Sequence, residues 1–202
     1  MFAKIVFAFG GGVVGLPLLD DDAFDLSSSL RFAQSLDQSV NATCATGTSA
    51  NANTGTNTVT FNPGAGNTFS YAGAISNFSS VDISNGNVIL SGASTYSGNT
   101  TVSGILSVTN TTGSATGSGN VIVNSTGTLK GTGDIAGNVS VASGGTLAPG
   151  LSPGTLNIDG NLSIVDGSHF AFELGTTSDL MNIGGALNFT GGGTALFDIL
   201  NT

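Results

Sequence analysis

The sequence predicts an all-β fold, a parallel β-helix in which short strands stack into a solenoid. One observation behind this prediction is a glycine-led segment that recurs through the second half of the chain. Another is the alternation of apolar residues within each segment, since residues two apart lie on one face of a strand. The third is a composition rich in glycine and very poor in charge.

The composition favours β-structure with an uncharged surface. Of the 202 residues, 32 are glycine and only 7% are charged, against about 25% in ordinary soluble proteins. The 39% apolar content and the positive mean hydropathy argue against global disorder, which needs low hydrophobicity and high charge. Ser, Thr, Asn and Gly must therefore cover the surface, and these residues suit strands and turns.

The charge balance excludes two classes of partner. Lys and Arg total three against twelve Asp and Glu, which gives a net charge of -9. So few cations can neither neutralise a phosphate backbone nor attract an anionic membrane surface, and we expect no nucleic-acid partner. Cys44 is the single cysteine, which excludes an internal disulfide, and we interpret it as structurally incidental.

Residues 1–19 form an apolar segment with two interpretations. MFAKIVFAFGGGVVGLPLL has one Lys followed by an uncharged run, which fits a secretory signal apart from a weak cleavage site. The alternative is a retained, ordered strand. The run is short of the roughly 20 apolar residues of a membrane helix, and its glycines and Pro17 oppose a helix. We expect no membrane span in the mature protein.

Residues 20–40 are predicted to form an amphipathic helix, followed by a linker at 41–58 and the solenoid at 59–202. Apolar residues recur at helical spacing from Asp22 to Val40, and the acidic start suits the amino end of a helix. Such a helix would cap the solenoid, with docking on a partner as the alternative. The polar run NATCATGTSANANTGTNT is typical of a linker.

The repeat runs from residue 86 to residue 195. GNVILSGASTY, GNVIVNSTGTL, GNVSVASGGTL, GNLSIVDGSHF and GALNFTGGGTA begin at Gly86, Gly119, Gly137, Gly160 and Gly185, with a partial copy, GILSV, at Gly104. The starts lie 15 to 25 residues apart, the length of one solenoid coil. One unit cannot bury its apolar face alone, whereas coils stacked about 4.8 Å apart bury it together.

Positions three, five and eleven of these segments are predicted to face the core. Val88, Val121, Val139 and Leu162 are predicted to form one inward column, and Leu129, Leu147 and Phe170 another. The full predicted core comprises Val88, Leu90, Val121, Val123, Val139, Val141, Leu162, Ile164, Leu187, Phe189, Leu129, Leu147 and Phe170. The stretch 58–84 is assigned to the first one or two coils, with Phe61, Phe69, Tyr71, Phe78 and Val81 facing inward or capping.

The second position of four segments is asparagine, predicted to lie at a corner of the coil. These residues are Asn87, Asn120, Asn138 and Asn161. Their side-chain amides can hydrogen-bond along the axis as a ladder. Alternatively each Asn supports a left-handed turn, and we favour this turn role.

The stretch GNVILSGASTYSGNTTVSGILSV resembles the autotransporter-associated β-strand repeat. The matching features are Gly92, Thr95-Tyr96, Gly98, Thr100-Thr101-Val102 and Gly104-Ile105-Leu106, and GTLAPGLSPGTLNIDGNLSI and SDLMNIGGALNFTGGG are similar to regions that follow this repeat. The resemblance covers about 86–193 and implies a right-handed parallel β-helix in an exported bacterial surface protein. The sequence departs from the family in having no translocator barrel and few coils, so we expect either a fragment or a small secreted relative that assembles.

Catalytic and metal-binding constellations are not evident in the sequence. Polysaccharide-cleaving enzymes need clustered carboxylates or cations, and here the carboxylates are scattered. Asp159 and Asp166 are candidate neighbours across a coil, although we favour the interpretation that both are solvated residues at corners. His169 alone is a weak metal signal, and GTGDIAGN around Asp134 lacks calcium-loop spacing. We expect no enzyme activity, no metal and no cofactor.

The expected function is structural: a secreted, extracellular or cell-surface subunit of a filament or stalk that assembles head to tail. The alternatives are an adhesive or spacer passenger of a larger autotransporter and a carbohydrate-active enzyme. The partners expected are copies of the same chain and, secondarily, surface glycans. Apolar runs near both ends give the assembly candidates Ile5, Val6, Phe7, Phe9, Val13, Val14, Leu196, Phe197, Ile199 and Leu200.

Overall fold

The computed structural model describes residues 58–76, 78–151 and 153–192 in full and the backbone of five further strands at 6–9, 12–15, 40–43, 49–53 and 196–201. Within these residues the protein is all-β. In chain order the strands are β1 (Val6–Phe9), β2 (Gly12–Gly15), β3 (Val40–Thr43), β4 (Ser49–Asn53), β5 (Thr58–Asn62), β6 (Thr68–Tyr71), β7 (Ser80–Ile83), β8 (Asn87–Leu90), β9 (Thr100–Val102), β10 (Ile105–Val108), β11 (Val121–Val123), β12 (Thr128–Gly131), β13 (Asp134–Ile135), β14 (Val139–Val141), β15 (Thr146–Pro149), β16 (Thr155–Ile158), β17 (Leu162–Val165), β18 (His169–Leu174), β19 (Leu180–Ile183), β20 (Leu187–Thr190) and β21 (Leu196–Asn201).

Three sheets wind into a β-solenoid of about six turns, which confirms the predicted parallel β-helix. Sheet I has the spatial order β20-β17-β14-β11-β9-β7-β5-β4-β3, sheet II the order β21-β18-β15-β12-β10-β8-β6, and sheet III the order β13-β16-β19. Each coil passes from sheet I through a corner to sheet II and then along a third side, which forms sheet III in the later coils. From β5 onward every ladder between coils is parallel.

The core is a set of inward columns running along the solenoid axis. In sheet I, Val121 stacks on Val139 and Val139 on Leu162, and all three are at most 1% exposed. In sheet II, Leu129 stacks on Leu147 in the same way. Fully burying each such side chain contributes about 1.5–3 kcal/mol. Alternation places the residues between them, Ile122 and Ser140 for example, on the half-buried outer face.

The segment at Gly86 lies in a different sheet from the one predicted. Val88 is buried in sheet II, where it pairs with Leu106 and Phe69, so it does not continue the column of Val121. The true counterpart of the later units is GNTTVSGILSV, because Thr100 pairs with Val121. Sheet I and sheet II strands both follow a glycine corner and both alternate, so the short match GNVI does not distinguish them.

The last repeat also departs from the predicted core. Leu187 and Phe189 pair in register with Leu162 and Ile164, but they are 47% and 57% exposed. The reason is position: β20 is the terminal strand of sheet I, so these side chains have a stacked neighbour on one side only. In sheet II, Phe170 pairs with Phe197, which lies eight positions after Phe189 in the sequence, whereas Phe170 lies six positions after Ile164.

A column of glycines brings successive coils together at the corner before sheet I. A Cβ built on Gly119 would lie 1.8 Å from the Gly98 carbonyl oxygen, and one on Gly137 would lie 1.9 Å from the Gly119 carbonyl oxygen. No side chain fits at such distances. The leading glycine of the repeat is therefore required by the close approach of stacked backbones.

The N-terminal region extends sheet I with antiparallel strands where a linker was predicted. β4 pairs with β5 and β3 pairs with β4, both antiparallel, while β1 and β2 form a separate antiparallel pair. The free edge of β5 can pair with a short strand of small residues. Because the alternation in β4 is between Ala and Ser or Asn, its apolar signal in the sequence is weak. The predicted helix over 20–40 lies outside the described residues, except that Val40 begins β3.

Candidate functional site: the open end of the solenoid

The carboxylates of the described residues are distributed over separate faces and corners. Asp82 lies on the outer face of sheet I and Asp134 on that of sheet III. Asp159 and Asp166 are exposed at corners on opposite sides of β17, so the strand separates the two candidates for a neighbouring pair. In the described part of the chain no group of three or more His, Cys, Asp or Glu residues is placed to hold a metal ion.

Asp82 is the carboxylate with a perturbed environment. It is half-buried between Thr60 and Thr101 in the outer row of sheet I. Burial raises the pKa of the Asp82 carboxyl above its ordinary value. Its strand neighbours carry hydroxyl groups and no charge, which suits a solvated surface row more than an acid–base pair.

His169 and Lys130 lie in different rows of the outer face of sheet II. His169 pairs with Thr146, and Lys130 pairs with Ser107 and Ala148. Both side chains are half-buried. On its other side His169 pairs with Leu196, so the ladder gives neither residue a charged strand neighbour and does not place the imidazole and the ammonium group beside each other.

Three of the four predicted corner asparagines form a ladder. Asn138 Nδ2 donates to Asn120 Oδ1 at 3.0 Å, and the backbone N–H of Asn161 donates to Asn138 Oδ1 at 2.8 Å. The N–H of Ala186 then donates to Asn161 Oδ1 at 2.7 Å. These amides join one coil to the next, so the asparagines form the axial ladder and the favoured prediction of a turn role is not what holds them at the corner.

The fourth predicted corner residue, Asn87, is placed differently. It lies inside β8 on the outer face of sheet II, and its Oδ1 accepts a hydrogen bond of 3.0 Å from Ser107 Oγ. This follows from the shift of the Gly86 segment into sheet II. Asn87 therefore bridges neighbouring strands and does not belong to the corner ladder.

A second ladder, on the outer face of sheet III, was not predicted. Asn157 Nδ2 donates to Asp134 Oδ1 at 2.7 Å, and Asn182 Nδ2 donates to Asn157 Oδ1 at 2.8 Å. The sequence carries a signal for it in DIAGN, NIDGN and NIGGA, where Asp or Asn precedes isoleucine at a fixed distance from the corner glycine. The Asp134 carboxylate therefore has a structural role, as the hydrogen-bond acceptor that joins two strands of sheet III.

Asp179 holds a corner of the later coils together. It is 9% exposed, and its Oδ1 accepts from the backbone N–H of Gly154 at 3.0 Å while its Oδ2 accepts from that of Glu173 at 2.8 Å. Charge-assisted bonds of this kind satisfy backbone donors between elements. The carboxylate is thus engaged in packing the corner.

The open end of the solenoid is the feature with unused binding capacity. We call β19, β20 and β21 the tail, since each is the terminal strand of its sheet. Leu180 is 52% exposed, and Leu187 and Phe189 are 47% and 57% exposed. The counterparts of Leu187 and Phe189 in the middle coils are buried, so the tail presents core-type residues to solvent. Leu180 instead pairs with the half-buried Thr155 and belongs to the outer face of sheet III.

The backbone of β20 also has a free side. The carbonyl oxygens of Ala186 and Thr190 accept hydrogen bonds from the N–H groups of Leu162 and Asp166. In a parallel ladder alternate residues bond to opposite neighbours, so Leu187 and Phe189 direct their N–H and C=O groups away from β17. Apolar side chains beside free backbone groups are the chemistry that pairs strands between molecules.

The predicted assembly residues fall on three described strands. Val6, Phe7 and Phe9 lie in β1, Val13 and Val14 in β2, and Leu196, Phe197, Ile199 and Leu200 in β21, while Ile5 lies outside the described residues. The C-terminal group is therefore part of the tail. The N-terminal group forms the antiparallel pair β1–β2.

Comparison with protein-family models, with curated proteins and with solved structures found no match to this chain. In the described residues no helix has the length and hydropathy to cross a bilayer.

Proposed function

We propose that this protein is a non-enzymatic structural subunit of an extracellular filament or stalk, formed by end-to-end association of solenoids. The observation that carries the proposal is the tail, where Leu180, Leu187 and Phe189 are about half exposed on terminal strands. Monomeric soluble proteins protect such edges with charges, prolines or covering elements. On β20, whose sequence is LNFT, no charge or proline serves this purpose.

The magnitude of the exposed surface suggests an association that depends on concentration. Complete burial of a large apolar side chain contributes about 1.5–3 kcal/mol, and these three are already partly buried. Association itself costs an estimated 4–15 kcal/mol in lost freedom of motion. Strand pairing must therefore add to apolar burial, and we expect assembly to grow with protein concentration.

The resemblance to the autotransporter-associated repeat supports an exported, bacterial cell-surface setting for this subunit. The outer faces agree with it, since they carry Ser, Thr and Asn rows and ladders in place of charge clusters. Under this proposal the partner is another copy of the chain, with surface glycans as secondary partners. No nucleic acid, membrane span or cofactor is part of it.

A second candidate is a spacer segment of a longer autotransporter passenger. Leu187 and Phe189 continue the inward columns in register, so a following coil of the same polypeptide would bury them as well as a second copy would. This candidate gives the solenoid the same structural role but removes self-association.

Sedimentation velocity of the full chain over a wide concentration range tests the proposal, with electron microscopy of the same samples. We expect larger species to appear as concentration rises and rods or fibres of solenoid width in the images. A chain that stays monomeric at the highest concentration would exclude the filament and favour the spacer.

A further inference from the structure

Sheet I has two free edges among the described strands, and they have the same direction. One is β20 in the tail, and the other is β3 at the opposite end, which pairs only with β4. β4 runs antiparallel to β5 and β3 runs antiparallel to β4, so two reversals restore the direction of the solenoid strands. A second copy aligned along the same axis would bring its β3 against β20 as a parallel pair.

The two edge strands also share a sequence pattern. β3 is VNAT and β20 is LNFT, four residues each, uncharged, with an apolar residue before Asn, a second apolar residue and a final Thr. Sheet I stacks like on like, as in Val139 on Leu162 and Ser140 on Ser163. In-register pairing of the two edges would set Val40 opposite Leu187 and Asn41 opposite Asn188, which continues that rule.

The end of the molecule that carries β3 also carries the apolar pair β1–β2. β1 lies close to β3 but forms no ladder with it. The free edge of β3 and an apolar two-stranded element are therefore side by side, opposite in the molecule to the tail. This end therefore offers free backbone hydrogen-bonding groups and apolar sequence, to which the free backbone groups and exposed apolar side chains of the tail can bind.

We propose that β20 of one copy pairs in parallel with β3 of the next, so that sheet I runs continuously through the assembly. This inference rests on the proposed function and names the contact within it. Such a contact joins different surfaces of the two copies, and heterologous contacts that do not close into a ring give open filaments. The competing arrangement, tail against tail, would pair β20 with itself and close at a dimer.

Two single-cysteine variants in a Cys44→Ser background test the contact. Neighbouring strands place paired Cα atoms within disulfide reach, about 4.4–6.8 Å. Asn41→Cys and Asn188→Cys are oxidised separately and as an equimolar mixture, and cross-linked dimers are quantified on non-reducing gels. We expect dimers in the mixture and little in either variant alone. Ser143→Cys, at an exposed corner of a middle coil, replaces Asn41→Cys in the control mixture and should give none.

The other outcomes overturn the inference in distinguishable ways. Dimers formed by Asn188→Cys alone would mean that tails pair with each other, which contradicts both the contact and the filament. Fibres in electron micrographs without 41–188 dimers would reject the contact and leave the proposed function standing. Monomers in sedimentation, with no cross-link in any mixture, would reject both.

Discussion

Val141 and Phe189 occupy the same inward column of sheet I, joined through Ile164, yet Val141 is fully buried and Phe189 is 57% exposed. Their segments have the same alternation and the same leading glycine. The structural difference is that the middle strand has stacked neighbours on both sides and the tail strand on one. Position along the axis, and not the repeat motif, therefore decides which residues stabilise the fold and which are free to bind.

The largest expected difference between the two regions comes from placing a charge in the column. Val139→Asp puts an unpaired carboxylate in the core, which should lower the free energy of unfolding by several kcal/mol. Leu187→Asp makes the same kind of change at a half-exposed site and should lower it by less than half as much. Urea denaturation of both variants measures the comparison, and equal losses would refute the distinction.

The glycine column gives the next test, because crowding at the corner is also confined to stacked coils. Gly119→Ala forces a Cβ to within 1.8 Å of the Gly98 carbonyl oxygen, whereas a Cβ on Gly192 meets nothing within 4 Å. We expect Gly119→Ala to destabilise by about 1–3 kcal/mol, as overpacking does. Gly192→Ala should be nearly neutral in the same thermal melts, and a neutral Gly119→Ala would disprove the close-approach argument.

Two buried hydroxyl groups should respond in opposite directions. Thr100 is fully buried and its Oγ1 lies 2.5 Å from Tyr96 Oη, while Ser168 is fully buried and its Oγ has no hydrogen-bond partner within the described part of the chain. Thr100→Val would leave the Tyr96 hydroxyl unpaired at a cost of about 1–3 kcal/mol. Ser168→Ala removes an unpaired group and should stabilise by about 1 kcal/mol. Differential scanning calorimetry that found both variants destabilised would contradict this account.

The smallest expected effect is a change of stability with pH that depends on the Asp82 carboxyl. Burial raises the pKa of the Asp82 carboxyl, so the folded protein binds this proton more readily than the unfolded chain and stability falls as pH rises through the folded pKa. Asp82→Asn should therefore stabilise slightly at pH 7, with the difference from wild type shrinking in acid. Asp159→Asn removes the same charge at an exposed corner and serves as the control in denaturation at several pH values.

The solenoid itself was predictable because its signals are local and repeated. Alternation identifies Val121, Val139 and Leu162 as inward residues, and the spacing of the leading glycines gives the length of a coil. The sheet to which Val88 belongs was not predictable from the short motif GNVI, since strands of sheet I and sheet II have similar patterns. Comparing GNTTVSGILSV with the later units gives the correct register.

The exposed tail and the N-terminal strands needed information that the repeat does not contain. Leu187 looks like a core residue in the sequence, and only its place on a terminal strand exposes it. β3 and β4 form against the edge of β5, and their alternation involves mostly Ala and small polar residues, so their apolar signal in the sequence is weak. The Asp134 ladder is an intermediate case, visible in the sequence once the segments are aligned on the glycine that follows isoleucine.

The central claim is that exposed core-type residues of the tail drive assembly, and one matched pair of variants tests it most directly. Phe189→Lys adds a charge to the free edge of β20, and Leu151→Lys makes a comparable change at a residue that is 47% exposed in the loop between β15 and β16, outside β20 and its free edge. Sedimentation velocity of folded protein should show that Phe189→Lys abolishes the larger species while Leu151→Lys assembles like the wild type. Assembly that survives Phe189→Lys, or is lost equally in both variants, would contradict the claim.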